Sequence, residues 1–145
     1  MHAYPVLFAL AFALPGCGLA MTSSDAMRGS VMDATAEQQR HLSTSREAST
    51  FPVLFEEVDR HVTEMDAIMD DMGGNMASMH CSGVQGMMTL RDGMRAELVV
   101  HGATIHAMTD LGDARSEIEH HTGTMGTMLG RMDSMLDGMR CGGGW

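Results

Sequence analysis

Apolar side chains recur along most of this chain at alternating steps of three and four, the spacing that lines one face of an α-helix. The clearest stripe is the last: Ile118, His121, Met125, Met128, Met132, Met135 and Met139. Leu54, Val58, His61, Met65, Ile68 and Met72 form a second, and Met94, Leu98, His101, Ile105 and Met108 a third. Met27, Val31, Ala34, His41 and Ala48 give a sparser one. Thr50-Phe51-Pro52 is a natural break and restart, because proline suits only the first turn of a helix. Ser82 with Gln85, and Asp110 with Asp113, have the spacing of a capping box. Together these signals predict helices over 24–48, 52–80, 84–109 and 112–140. Gly73-Gly74 falls inside the second, and each interior glycine costs up to about 1 kcal/mol relative to alanine. The lower part of that helix is expected to kink or fray.

Sliding the sequence by 60 residues without gaps superposes its chemically unusual positions. Glu37 falls on Glu97, His41 on His101, Glu57 on Glu117 and His61 on His121; Met65, Met72, Met79 and Cys81 fall on Met125, Met132, Met139 and Cys141. Agreement at so many rare residue types in one register points to two copies, 23–83 and 84–145, each a helical hairpin. The expected fold is all-α, an antiparallel up-down-up-down four-helix bundle forming one domain, preceded by a leader over 1–16 and a tether over 17–22.

Every predicted helix carries one Glu-x-x-x-His: Glu37 with His41, Glu57 with His61, Glu97 with His101, Glu117 with His121. A separation of four places both side chains on nearly one face, a turn apart. The hairpin turns near 51 and 111 lie ten positions from the histidine on either side. Antiparallel pairing therefore sets His41 level with His61 and His101 level with His121. With both turns at one end, all four share a cross-section about 15 Å from the turns. Glu57, Glu117, Ser45 and Ile105 then lie on the turn side of the layer, and Glu37, Glu97, Met65 and Met125 on the far side.

Burying four imidazoles among carboxylates costs several kcal/mol unless they find partners, so the layer needs either a metal ion or a complete internal hydrogen-bond network. Imidazole suits zinc, copper, iron and nickel, while carboxylates either ligate or fix the histidine tautomer. The arrangement resembles that of di-metal carboxylate bundles and, more distantly, hemerythrin-like bundles, which also direct Glu and His inward from four helices. Ferritin-like sites use Glu-x-x-His on two helices, whereas here all four carry Glu-x-x-x-His, so oxidase or oxygen-carrier chemistry is not implied. The expected ligands are His41, His61, His101 and His121 with Glu37, Glu57, Glu97 and Glu117, and the expected ion is copper or zinc ahead of iron. Eighteen methionines would suit Cu(I), yet most fit flexible core packing. Met65 and Met125, one turn from His61 and His121, are the candidate additional soft ligands. His80, His106 and His120 have no counterpart in the other copy and are expected at the rim.

A net charge of −10, with every basic residue an arginine, argues against a nucleic-acid partner and favours attraction of cations. Residues 6–14 form an unbroken apolar run, too short to span a bilayer and placed as a secretion signal. The run ends in Leu14-Pro15-Gly16-Cys17, which resembles the lipobox of bacterial lipoproteins. That resemblance implies cleavage before Cys17 and acylation of Cys17. Because Gly18 rather than an aspartate follows, it also implies a membrane-anchored protein of the outer membrane, facing the periplasm. An ordinary cleaved signal would carry the same run and leave Cys17 unmodified; either implies export.

Export permits oxidation. Cys81 and Cys141, at equivalent ends of the second and fourth helices, are the expected disulfide. A second soft metal site in Met79-His80-Cys81 and Met139-Arg140-Cys141 is the alternative. The function expected is non-catalytic: sequestration, storage or sensing of copper or zinc in the cell envelope. Two rivals remain open, a di-metal redox enzyme with substrate entering near Ser45, and a structural bundle with a metal-free Glu–His layer.

Overall fold

The computed structural model describes residues 22–139, which form four helices with no strand among the described residues. α1 spans Ser23–Glu47, α2 Phe51–Ala77, α3 Val84–Ala107 and α4 Leu111–Gly138. α1 and α3 each pack against α2 and α4, giving a four-helix bundle in which α2 and α4 lie across from one another. Polar pairs between neighbours run in opposite order along the two helices. Glu37 meets His61 and Glu57 meets His41; Arg28 meets Asp137 and Arg46 meets Glu119; Arg95 meets Asp70 and His106 meets Asp59. This is the order expected of antiparallel neighbours.

Local chemistry sets the helix ends. Thr22 starts α1 with a reciprocal box: its hydroxyl accepts from the Asp25 amide at 3.2 Å, and the Asp25 carboxylate accepts from the Thr22 amide at 3.3 Å. Asp110 caps α4, accepting from the amides of Gly112 and Asp113. The cap expected of Ser82 does not form. α3 begins at Val84 as predicted, but its N-cap is Gly83 at φ 95°, a left-handed conformation that glycine tolerates. Ser82 is thereby left outside the position from which a hydroxyl reaches the first turn. The fraying expected at Gly73-Gly74 is also not found, and α2 runs on as helix to Ala77. The Arg91 guanidinium of α3 lies over Gly73 and would have to swing aside for a Cβ there.

Two apolar clusters fill the bundle. Near the hairpin turns, Ala48, Leu54, Val58, Ile105, Ala114 and Ile118 pack together. Beyond the histidines lies a longer, methionine-rich cluster that includes Met27, Met65, Met69, Met72, Met94, Met125 and Met132. In α4 the buried face is Ile118, His121, Met125, Leu129, Met132 and Leu136. Met128 and Met135, expected in the seam, sit at its half-buried edge, and in α2 Met69 takes the place expected of Ile68. The reason is geometric. A straight helix drifts about 20° per heptad from a strict 3.5-residue repeat, so steps of four prevail.

Candidate metal centre

The histidine layer separates the two clusters. His41, His61, His101 and His121 are all fully buried, and their rings form two stacked pairs, one from each hairpin. His41 lies on His61 with centroids 3.9 Å apart and planes 8° apart; His101 lies on His121 at 3.8 Å and 15°. The pairs meet edge to face: His41 is 5.5 Å from His101, His61 is 6.2 Å from His101 and 5.7 Å from His121, at interplanar angles of 84–87°. The level arithmetic of the sequence thus corresponds to a real cross-section.

Carboxylates reach these rings across the hairpin rather than along the helix. His41 Nδ1 is 3.0 Å from Glu57 and His61 Nδ1 is 2.8 Å from Glu37; His121 Nδ1 is 3.4 Å from Glu97. An ionised carboxylate only accepts, so in each case Nδ1 carries the proton and Nε2 is left as a lone pair. Nε2 of His41 and of His121 has no partner, and neither nitrogen of His101 has one. His61 Nε2 has only the amide nitrogen of buried Gln38, at 3.5 Å. Ser45 Oγ lies 3.4 Å from His41 Nδ1. Glu117, by duplication the partner of His101, does not reach it.

On the first hairpin an arginine shell completes the arrangement. Arg40 donates to Glu37 through Nε and Nη2, and Arg60 donates to Glu57 through the same atoms. Arg60 Nη1 also lies 3.0 Å from Glu37, so one guanidinium ties both carboxylates together. Neither arginine stands out when only retained positions are compared. The available signal is that each immediately precedes its histidine, Arg40-His41 and Arg60-His61, where the second copy has Val100 and His120.

Burial keeps three of the four rings neutral. Burial, with neighbouring His61, holds His41 down to about 4, although Glu57 and Glu37 pull it upward. Burial, then His41 and His61, hold His101 at about 3. Burial, then His101 and the other rings, hold His121 at about 2. Burial alone would raise Glu37, but hydrogen bonds from His61 and Arg40 and the charges of His61 and Arg60 bring it to about 2. Glu57 is lowered against its burial by Arg60 and His41.

Among the described residues no three His, Cys, Asp or Glu groups are arranged to hold a metal ion. Met65 and Met125 are buried in the methionine-rich cluster. His80 and His120 are exposed, and His106 pairs with Asp59 and packs on Phe55. Cys81 is disulfide-bonded; Cys17 and Cys141 lie outside the described residues. No known protein family, curated protein or solved structure matches the chain.

Proposed function

We propose that the histidine layer is a transition-metal site in an exported, lipid-anchored bundle that sequesters, stores or senses copper or zinc. The observation that carries this reading is the set of buried imidazole nitrogens without partners, Nε2 of His41, His101 and His121 and Nδ1 of His101. Each unpartnered buried polar atom costs about 1–3 kcal/mol, and a metal ion would employ the lone pairs that the bundle leaves idle. Nδ1 of three rings is already turned to a carboxylate, the outer contact that fixes tautomer and orientation at metal-bound histidines. His41, His101 and His121 are held neutral by burial, which is the ligating form.

Convergence on one ion requires the stacked rings to tilt apart, and the methionines below them are the side chains best able to repack. Imidazole with carboxylate suits Zn(II) or Cu(II), and Met65 and Met125 would add soft donors for Cu(I). Export and acylation of Cys17 rest on the leader. Among the described residues no helix is long and apolar enough to cross a membrane, and the reading assigns attachment to the lipid on Cys17. It also assigns Cys141 as the disulfide partner of Cys81.

The test is calorimetric titration of the metal-free mature protein with Zn(II), Cu(II) and, under reductant, Cu(I). Saturable binding lost in the double variant His61→Ala/His121→Ala is the expected result. Binding that survives in that variant would overturn the four-histidine site. A second reading, a metal-free Glu–His–Arg layer that fixes helix register, is favoured by the ring stacking and by the arginine shell of the first hairpin. Absence of binding by all three ions would select it.

A further inference from the structure

The four histidines are equivalent by duplication but not by surroundings. We propose that a metal ion enters between α3 and α4 and binds first to His101 and His121, with Glu97 and Glu117 as direct ligands, before His41 and His61 engage. The inference rests on the metal reading above and adds an order and a direction to it.

Three observations carry it. On the α1–α2 side, Arg60 spans Glu37 and Glu57 and Arg40 holds Glu37 as well. A dication approaching there meets two guanidinium groups, and both carboxylates are already engaged. On the α3–α4 side the corresponding positions are Val100 and His120, and no arginine pairs with Glu97 or Glu117 among the described residues. Glu97 is 28% exposed against 6% for Glu37, and its contact with His121 is long, at 3.4 Å. It is free to turn from the ring toward an ion. Finally, His101 is fully buried with neither ring nitrogen partnered, so binding there breaks no existing hydrogen bond. His120, in the register of Arg60, replaces a fixed cation with an imidazole that itself accepts metal.

The experiment follows imidazole nitrogen resonances of the 15N-labelled mature protein during sub-stoichiometric addition of Zn(II). Signals of His101 and His121 should respond before those of His41 and His61. In parallel, Val100→Arg/His120→Arg rebuilds the arginine shell on the second hairpin and should weaken Zn(II) binding by on the order of tenfold or more. Met32→Arg/Ala77→Arg adds two arginines at exposed positions away from the layer and should bind as wild type does. If wild-type protein takes up no Zn(II), this proposal falls, and the metal reading falls with it when Cu(II) and Cu(I) are refused as well. If it binds but all four rings respond together, or the rebuilt shell binds like the exposed control, only the order of loading falls.

Discussion

The two hairpins present the same four ligand-type residues in different electrostatic company. In α1–α2 each glutamate of the layer is shared between a histidine and an arginine. In α3–α4 one glutamate makes a long contact and the other none with its histidine. The helices differ as well: α1 brings Ala34, Gln38 and Ser45 to the buried face where α3 brings Met94, Leu98 and Ile105. The 60-residue register keeps the residues that face the centre, while the shell that supports them differs between the hairpins. One half is closed by a hydrogen-bonded salt-bridge network, and the other is packed more heavily around rings with unused lone pairs.

Acid should produce the largest effect and divide the halves. His41, His101 and His121 have folded values of about 4, 3 and 2 against an ordinary 6.5, so below 6.5 the unfolded chain binds protons that the folded one refuses. Their stabilising contribution is complete above 6.5 and is lost as pH falls from there toward the folded values. Three unmatched protons correspond to a slope of up to about 4 kcal/mol per pH unit, which exhausts a typical stability of about 5–15 kcal/mol within a few units. Glu37 acts in the same direction, its contribution being present above 4.5 and lost as pH falls toward about 2. Metal-free protein followed by circular dichroism should unfold between about pH 6 and 4. His101→Leu should shift the acid midpoint downward by more than His41→Leu, which also strands Glu57. Equal shifts would mean that the two halves are electrostatically alike.

Of intermediate size is the contrast between the paired glutamates. Glu37→Gln removes the charge that holds Arg40, Arg60 and His61, and should cost about 2–3 kcal/mol. Glu97→Gln, at a more exposed position with one long contact, should cost less than about 1 kcal/mol. Urea unfolding of both variants at pH 7 measures the difference, and similar losses would remove the arginine shell as an energetic distinction.

Much of this was legible from the chain itself. The 60-residue register and the equal distances from each turn to its histidines placed four rings in one layer without any coordinates. Partner choice was not legible. The spacing joins Glu37 to His41 within one helix, yet Glu37 bonds His61 and Glu57 bonds His41. Residues four apart stand one above the other a full turn away, so the ring on the neighbouring helix is the one within hydrogen-bond reach. The arginine shell was hidden for another reason. Retained positions identify what both copies need, and Arg40 and Arg60 matter because the second copy has Val100 and His120 in their place.

The smallest effects concern the helix starts, where the copies differ in a crossed pattern. Position 22 corresponds to 82 and position 50 to 110. Thr22 makes a reciprocal box with Asp25, whereas Ser82 has lost the cap to Gly83. Asp110 accepts two backbone amides, whereas Thr50 accepts none. A side-chain cap satisfies amides that have no partner within the helix, and its removal costs about 1 kcal/mol. Thr22→Ala and Asp110→Ala should therefore each lower stability by about that amount, while Ser82→Ala and Thr50→Ala should stay within about 0.5 kcal/mol of wild type. The measurement is the urea midpoint of the four single variants, interpreted only where the slope against denaturant is unchanged. A loss in Ser82→Ala as large as in Thr22→Ala would show that both copies begin with the same working cap, and that the one-residue shift to Gly83 carries no energetic weight.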